Sequence, residues 1–313
     1  MNFQGLLENV KNIESHRGYW FVRTDSGKNF ETFVKNSFIG IGWNGITLED
    51  LRDASLKAAE VKRKIAKRYN IDIDKSSGKG KTTAIYTKLL RFKEFKKGDL
   101  IIIPSSNSKL YAFGIIQDNS IYNDIDQTHN CSYYKRRKVE WLEVREVELL
   151  DPIFYKIKVS RHTISNIKRF ENSIDNITDS LYRKGEYNHF VIDVKTTRDI
   201  NVVSLLSYMN SSQELLNKIN THFNLNENVD SSLIRLNLQS PGKIELKLAG
   251  KAIVIFALIL SLASCEDREF SQMNQEEKKE IMEFVEINHD LIDSIESVME
   301  DLKVDKERIN SIY

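Results

Sequence analysis

One stretch, Lys96–Val144, restricts what this chain can fold into more than any other: KKGDLIIIPSSNSKLYAFGIIQDNSIYNDIDQTHNCSYYKRRKVEWLEV. Leu100–Pro104 is a short apolar run stopped by a proline. Leu110–Gln117 is a second run with Gly114 inside it, and Arg137–Val144 is a third. Apolar runs of this length, separated by Gly, Asn, Asp and Ser, are strands joined by turns. A glycine within a strand marks a bulge, or the close approach of a ligand or another backbone. The stretch predicts a small, curled antiparallel sheet.

Upstream, Gly18–Thr24 (GYWFVRT) and Phe38–Trp43 (FIGIGW) read as strands, with a turn at Asp25-Ser26-Gly27 and a short helix over 3–14. Thr47 and Asp50 form a capping-box pattern. It opens a charged helix over 50–69, followed by a second helix over Thr82–Phe95 with Ile85, Leu89, Leu90 and Phe92 as its apolar stripe. Residues 75–83 (KSSGKGKTT) imitate a phosphate loop, but Lys75 stands where that pattern needs a glycine, so a flexible basic loop is expected.

At 313 residues the chain is expected to form two domains, 1–150 and 151–313. Two cysteines far apart, Cys131 and Cys265, point to a reducing compartment without a disulfide framework or zinc site. The N-terminus has no basic start followed by an apolar run, so no signal peptide is expected and a cytoplasmic location is. The net charge of +1 hides a gradient: residues 1–150 hold 26 Lys+Arg and 19 Asp+Glu, a net of +7, leaving 20 against 26, a net of −6. A basic N-terminal half favours a polyanionic partner; the plainer alternative is a solvated helix face.

GYWFVRT, FIGIGW, a helix running into FKKGDLIIIP, YAFGII and RRKVEW follow one another in an order that resembles the PUA-like group of bacterial domains. That group includes EVE, ASCH and YTH domains and modules of phage-defence and modification-dependent restriction proteins. The resemblance covers residues 15–150. It implies an α+β fold, a curled β-barrel flanked by helices, and a pocket that reads a flipped or modified base. Such a base needs flat walls and edge hydrogen bonds. Trp20, Trp43, Tyr111, Tyr122 and Trp141 are candidate walls, with core packing the alternative for Trp43 and Trp141. Gly40, Gly42 and Gly114 would admit a ring, and Ser105, Ser106 and Asn107 would read an edge. Lys135, Arg136, Arg137, Lys138 and the basic helix 57–68 would hold phosphates, with Arg23 at the pocket mouth.

From Asp151 the pattern becomes mainly helical, with short helices expected over 160–169 and 175–182 and a longer one over 201–209. Phe190–Val194 is a strand, and 231–238 and 243–248 form a hairpin around Ser240-Pro241-Gly242. Asp193-Val194-Lys195 on an apolar strand has the form of a metal-dependent nuclease site, but its partner carboxylate is missing and an ordinary Asp and Lys at the solvent edge is the favoured reading. Residues 252–265 carry no charge. Extended back to 246 they approach a membrane span, and otherwise they form a buried helix. Residues 274–308 read as one acidic amphipathic helix suited to self-association through 249–308. The expectation is a sensor that binds nucleic acid through its N-terminal domain and signals through C-terminal oligomerisation, without catalysis, cofactor or metal. The alternatives are a nuclease using Asp193 and Lys195, or a membrane-associated effector.

Overall fold

The computed structural model describes residues 4–52, 54–125, 131–160, 162–237, 242–263 and 275–310. The turn at Ser240-Pro241, the end of the apolar run at Ser264-Cys265 and the start of the acidic tail lie outside them. The chain is α+β and divides into two compact units: residues 17–171, and residues 1–16 together with 172–313. The boundary expected at 150 is displaced because strand pairing reaches past it. Strand Ile164–Asn166 joins the first unit's sheet, and strand Lys11–Asn12 joins that of the second. The first unit holds 30 Lys+Arg against 19 Asp+Glu, a net of +11, and the second the remaining 16 against 26, a net of −10. They are called here the basic and the acidic unit.

With strands numbered along the chain, β1 is Lys11–Asn12 and belongs to the acidic unit. The basic unit holds β2 (Tyr19–Val22), β3 (Phe38–Ile41), β4 (Leu100–Pro104), β5 (Leu110–Ile116), β6 (Tyr122–Asn123), β7 (Lys135–Glu146) and β8 (Ile164–Asn166). Its sheet runs β3-β7-β5-β4-β2-β8, with β6 also against β7. The pairs are antiparallel except β2 with β4, which is parallel. The chain leaves β2 and returns to β4 through a run of helices, the crossover that a parallel pair requires. Long β7 bridges the curl, pairing with β3 through Lys135–Lys138 and with β5 beyond Val139. Its register on β5 shifts at Gly114, where a Cβ would lie 2.6 Å from the Trp141 ring, so this glycine accommodates a bulge and the protein's own indole. The alternating inner residues Ile101, Ile103, Ala112 and Ile116 pack against Phe33, Ile65, Leu89 and Phe92 from the helices.

The charged stretch forms two helices, Leu48–Arg52 and Ala58–Arg68, and the first opens with the expected capping box. Asp50 accepts from the Thr47 backbone N–H at 3.0 Å, while the Thr47 hydroxyl accepts from that of Asp50 at 3.2 Å. The loop expected over 75–83 is instead the first two turns of helix Ser76–Glu94. There Gly78 is needed, since a Cβ would overlap the Asp72 carbonyl oxygen. Asp99, in the KKGD turn, accepts from the backbone of Gly18 and Lys96 and from the Trp20 indole.

The acidic unit is not simply helical. Strands β9 (Leu181–Lys184), β10 (Tyr187–Val194), β11 (Leu233–Asn237) and β12 (Gly242–Leu248) complete a five-stranded sheet ordered β1-β9-β10-β12-β11. The helices expected over 160–169 and 175–182 are replaced by β8 and by a helix, Glu171–Thr178, that ends before β9. Phe190, Ile192, Val194, Ile244 and Leu246 face one way, toward helices Val202–His222, Ala252–Ala263 and His289–Asp301. The apolar run is that central helix, with Ala252–Leu260 at most 1% exposed, and no helix among the described residues is long and apolar enough to cross a membrane. Glu227 accepts from the backbone N–H groups of Lys251 and Ala252, satisfying donors at the buried helix start that have no intrahelical partner. The acidic tail is three helices, Gln275–Ile287, His289–Asp301 and Lys306–Asn310. The first two are separated at Asn288, whose buried amide donates to the Phe284 carbonyl at 2.8 Å. The stripe expected to pair with another copy, including Ile281, Phe284, Ile292 and Ile295, is packed inside its own unit.

Candidate nucleic-acid interface

Trp43 ends the FIGIGW segment in the left-handed conformation, φ +59°, which a bulky residue adopts only when its surroundings hold it there. Its carbonyl accepts from the Ile46 backbone at 3.0 Å and from Lys135 Nζ at 3.0 Å. The indole is half-buried, and Lys88 Nζ lies 5.1 Å from its ring centroid. The Tyr69 hydroxyl accepts from the Gly45 backbone at 3.1 Å, tying the end of helix Ala58–Arg68 to the same turn. That helix packs against Ser76–Glu94, and the pair exposes Arg63, Lys64, Lys67, Arg68, Lys79 and Lys81. A half-covered aromatic face thus meets Lys88 of one basic helix and the Arg68 end of the other at one turn. Base stacking and phosphate contact require those two ingredients side by side.

Lys135 is 1% exposed, and its pKa is pushed down to about 8 by that burial. The glycines expected to admit a ligand ring admit one of the protein's own. A Cβ at Gly40 would lie 3.0 Å from Tyr133 Cβ, and one at Gly42 would lie 3.3 Å from its Cε1. Burial also raises the Tyr133 pKa. Tyr133, Lys88 and Tyr69 carry no motif, and sequence reasoning passed over all three. Lys88 and Tyr69 follow a helical repeat whose neighbours look like ordinary amphipathic spacing.

The other expected site residues are dispersed. Trp20 donates its indole N–H to Asp99 at 2.9 Å and packs on Phe95, and Trp141 donates to the Phe33 carbonyl at 2.9 Å; both are fixed in the framework. Tyr111 is fully buried, and burial pushes its pKa up to about 12. Arg23 donates to the carbonyls of Lys158 and Ser160, where it holds the end of a short helix. Arg136 and Arg137, expected to hold phosphates, are each 1% exposed. Arg136 pairs with Asp124, donates to the Tyr133 and Cys131 carbonyls and stacks on Phe38. Arg137 donates to the Phe92 and Lys93 carbonyls at the end of helix Ser76–Glu94, with its pKa lowered by burial to about 10. Only Lys138 of that basic run is exposed. Tyr122, half-buried on β6, sits opposite Arg136. Ser105, Ser106 and Asn107 form a tight turn with Asn107 at φ +56°. The turn packs so closely on Gly27 that a side chain there would overlap the Ser106 backbone.

In the acidic unit, Asp193 is paired with Lys243 and with Arg308, the latter at 2.6 Å. Burial alone would raise its pKa, but these two cations hold it below the usual value. Lys195 is exposed and pairs with Asp305 at 2.7 Å. Among the described residues no three His, Cys, Asp or Glu side chains come together as a metal site. On the sheet face away from the apolar core, His189 Nδ1 lies 2.7 Å from Glu245, and its ring stacks on Tyr182 at 4.5 Å.

Residues 20–168 match the family model described as a domain of unknown function (DUF8426). Those bounds fall within three residues of the basic unit, 17–171, so the matched segment and the compact unit are one object. No curated protein and no solved structure matches the chain.

Proposed function

We propose that the basic unit is a PUA-like nucleic-acid-binding domain in which Trp43 supplies a stacking face for a base and the helical hairpin 58–94 engages the phosphate backbone. The observation that carries this reading is the meeting at the Trp43 turn of an aromatic face, Lys88 over it and Arg68 beside Gly45, on a helix pair that exposes further lysines and arginines. The net charge of +11 on this unit supports it independently, because phosphate neutralisation supplies most sequence-independent affinity. The resemblance of residues 15–150 to modified-base readers in phage-defence and restriction proteins adds a substrate class, an unstacked or modified base. On this reading the acidic unit carries the response of a bacterial defence sensor.

The test is a fluorescence-polarisation titration of the full chain against single- and double-stranded DNA and RNA, with and without modified cytosine or adenine, at two salt concentrations. Binding to at least one modified ligand is expected to weaken about tenfold or more in Trp43→Ala, the loss of one stacked base. Equal binding by parent and Trp43→Ala would leave a backbone binder only. Absence of binding to every polymer would sink the proposal.

A further inference from the structure

The polar face of the acidic unit's sheet holds a charged group that the proposed nucleic-acid reading does not use. His189 is 7% exposed and lies between Tyr182 of β9 and the β12 residues Glu245 and Lys247. Its Nδ1 is engaged by Glu245, a carboxylate that is itself fixed by Asn176 at 2.9 Å and Arg235 at 3.3 Å on its second oxygen. Burial would raise the Glu245 pKa, yet these partners lower it, so the carboxylate is charged and Nδ1 carries a proton. The ring is thus fixed in both tautomer and plane, the plane by its stack on Tyr182, whose hydroxyl donates to Asn176 at 2.7 Å. Nε2 has no hydrogen-bond partner among the described residues.

Lys247 is the direct cross-strand neighbour of His189. It rests over the Tyr187 ring at 5.3 Å and pairs with no carboxylate among the described residues. Other cations of the unit are already ion-paired: Lys184 with Asp175, and Lys243 and Arg308 with the shared carboxylate of Asp193. Arg235 keeps about half of its side chain exposed while touching Glu245. A fixed imidazole nitrogen, an ammonium and a half-exposed guanidinium therefore share one face of three adjacent strands. The Glu245 carboxylate balances one of the two cations, which leaves positive charge for a bound anion to join.

We propose that His189, Lys247 and Arg235 form an anion site that takes a phosphate group. Nε2 meets one oxygen at the base of the site, and Lys247 and Arg235 meet the others at its rim. The groups around the imidazole are Tyr182 across on β9, Lys247 across on β12 and Glu245 at its Nδ1, with Asn176 and Arg235 on the second oxygen of Glu245 and the Lys184–Asp175 pair at the next position of β9. A phosphate bound there stabilises the imidazolium.

The test follows the histidine ring signals of the full chain, labelled at its six histidines, during titration with inorganic phosphate and, separately, a nucleoside monophosphate. The His189 signal is identified by its loss in His189→Gln and, independently of whether that variant folds, through its contact with the Tyr182 ring. A saturable shift of the His189 ring signals on adding the anion is expected. In Lys247→Ala the affinity should fall about tenfold, the usual worth of one charge-assisted contact. Inorganic phosphate alone producing the shift identifies the free ion, and the mononucleotide alone identifies an esterified phosphate. No shift beyond that of salt-matched chloride, or a shift unchanged in Lys247→Ala, overturns the proposal. The site lies in the acidic unit, so neither result bears on binding at Trp43.

Discussion

Two glycines in one helical turn have opposite consequences for substitution. A Cβ on Gly78 would overlap the Asp72 carbonyl, while nothing lies within 4 Å of one on Gly80. In helix Ser76–Glu94 the ordinary preference for alanine then operates only at Gly80. Gly80→Ala is predicted to stabilise by about 1 kcal/mol, and Gly78→Ala to destabilise by about 2 kcal/mol, both read from urea unfolding. Lys135 gives a second prediction. Its folded pKa of about 8 lies below the ordinary 10.5, so between these values the unfolded chain holds more protons and stability rises with pH. Below pH 8 the buried ammonium is a constant cost. The stability of the parent relative to Lys135→Met should therefore climb from pH 8 toward 10.5, and a flat difference would place the amine in water. Legibility at this scale followed side-chain direction. Thr47 and Asp50 act through neighbouring backbone and were readable. Arg136 and Arg137 were not, because the carbonyls and rings that receive them come from residues remote in sequence, such as Phe92 and Phe38.

Among the elements, helix Ala252–Ala263 has its apolar side chains enclosed by the sheet and three helices. Phe256 packs edge-on against Phe190 at 5.8 Å. Phe256→Ala is predicted to remove about 3–5 kcal/mol from the acidic unit, seen as a lower unfolding midpoint. A helix whose apolar face met lipid instead would lose far less in detergent-free solution. Hydropathy left membrane and core open for this segment because both remove the same side chains from water. Its twelve-residue length and the Glu227 carboxylate at its start belong to a core helix. The strands β4 and β5 were legible as apolar runs bounded by turn residues, and β11 and β12 as a hairpin around a turn. β8 and β9 were not, being three and four residues long and defined by their pairing partners. The tail's helical period persisted across Asn288, so periodicity alone did not reveal the break.

For the whole molecule, charge is divided more sharply between the folded units than between the halves of the sequence, +11 and −10 against +7 and −6. The short basic segment 151–169 moves into one unit, and the acidic Glu8 and Glu14 move into the other. Affinity for any nucleic acid should accordingly fall steeply with salt, the slope of log affinity on log salt counting the phosphates neutralised. Neutralising Lys67 and Arg68 together should flatten that slope by about 2, whereas Trp43→Ala should lower affinity at unchanged slope. The curled sheet and the basic character were legible in the sequence. The interleaving of the units was not, because a two-residue strand such as β1 carries no pattern of its own.

That strand has a consequence for how the chain is made. β1 lies alongside β9, while β10 is completed at its far end by the Val194–Val304 bridge. As the polypeptide emerges from the ribosome, every residue of the basic unit is available once residue 171 is out. The first sixteen residues must wait for partners synthesised some 170 positions later, and the sheet they join is closed only by residues near 304. The nascent protein thus passes through a long interval with one unit complete and the other an unassembled pair of ends. During that interval the apolar segment 252–263 depends on late-arriving chain for its cover, and synthesis rate and chaperone supply become determinants of its yield.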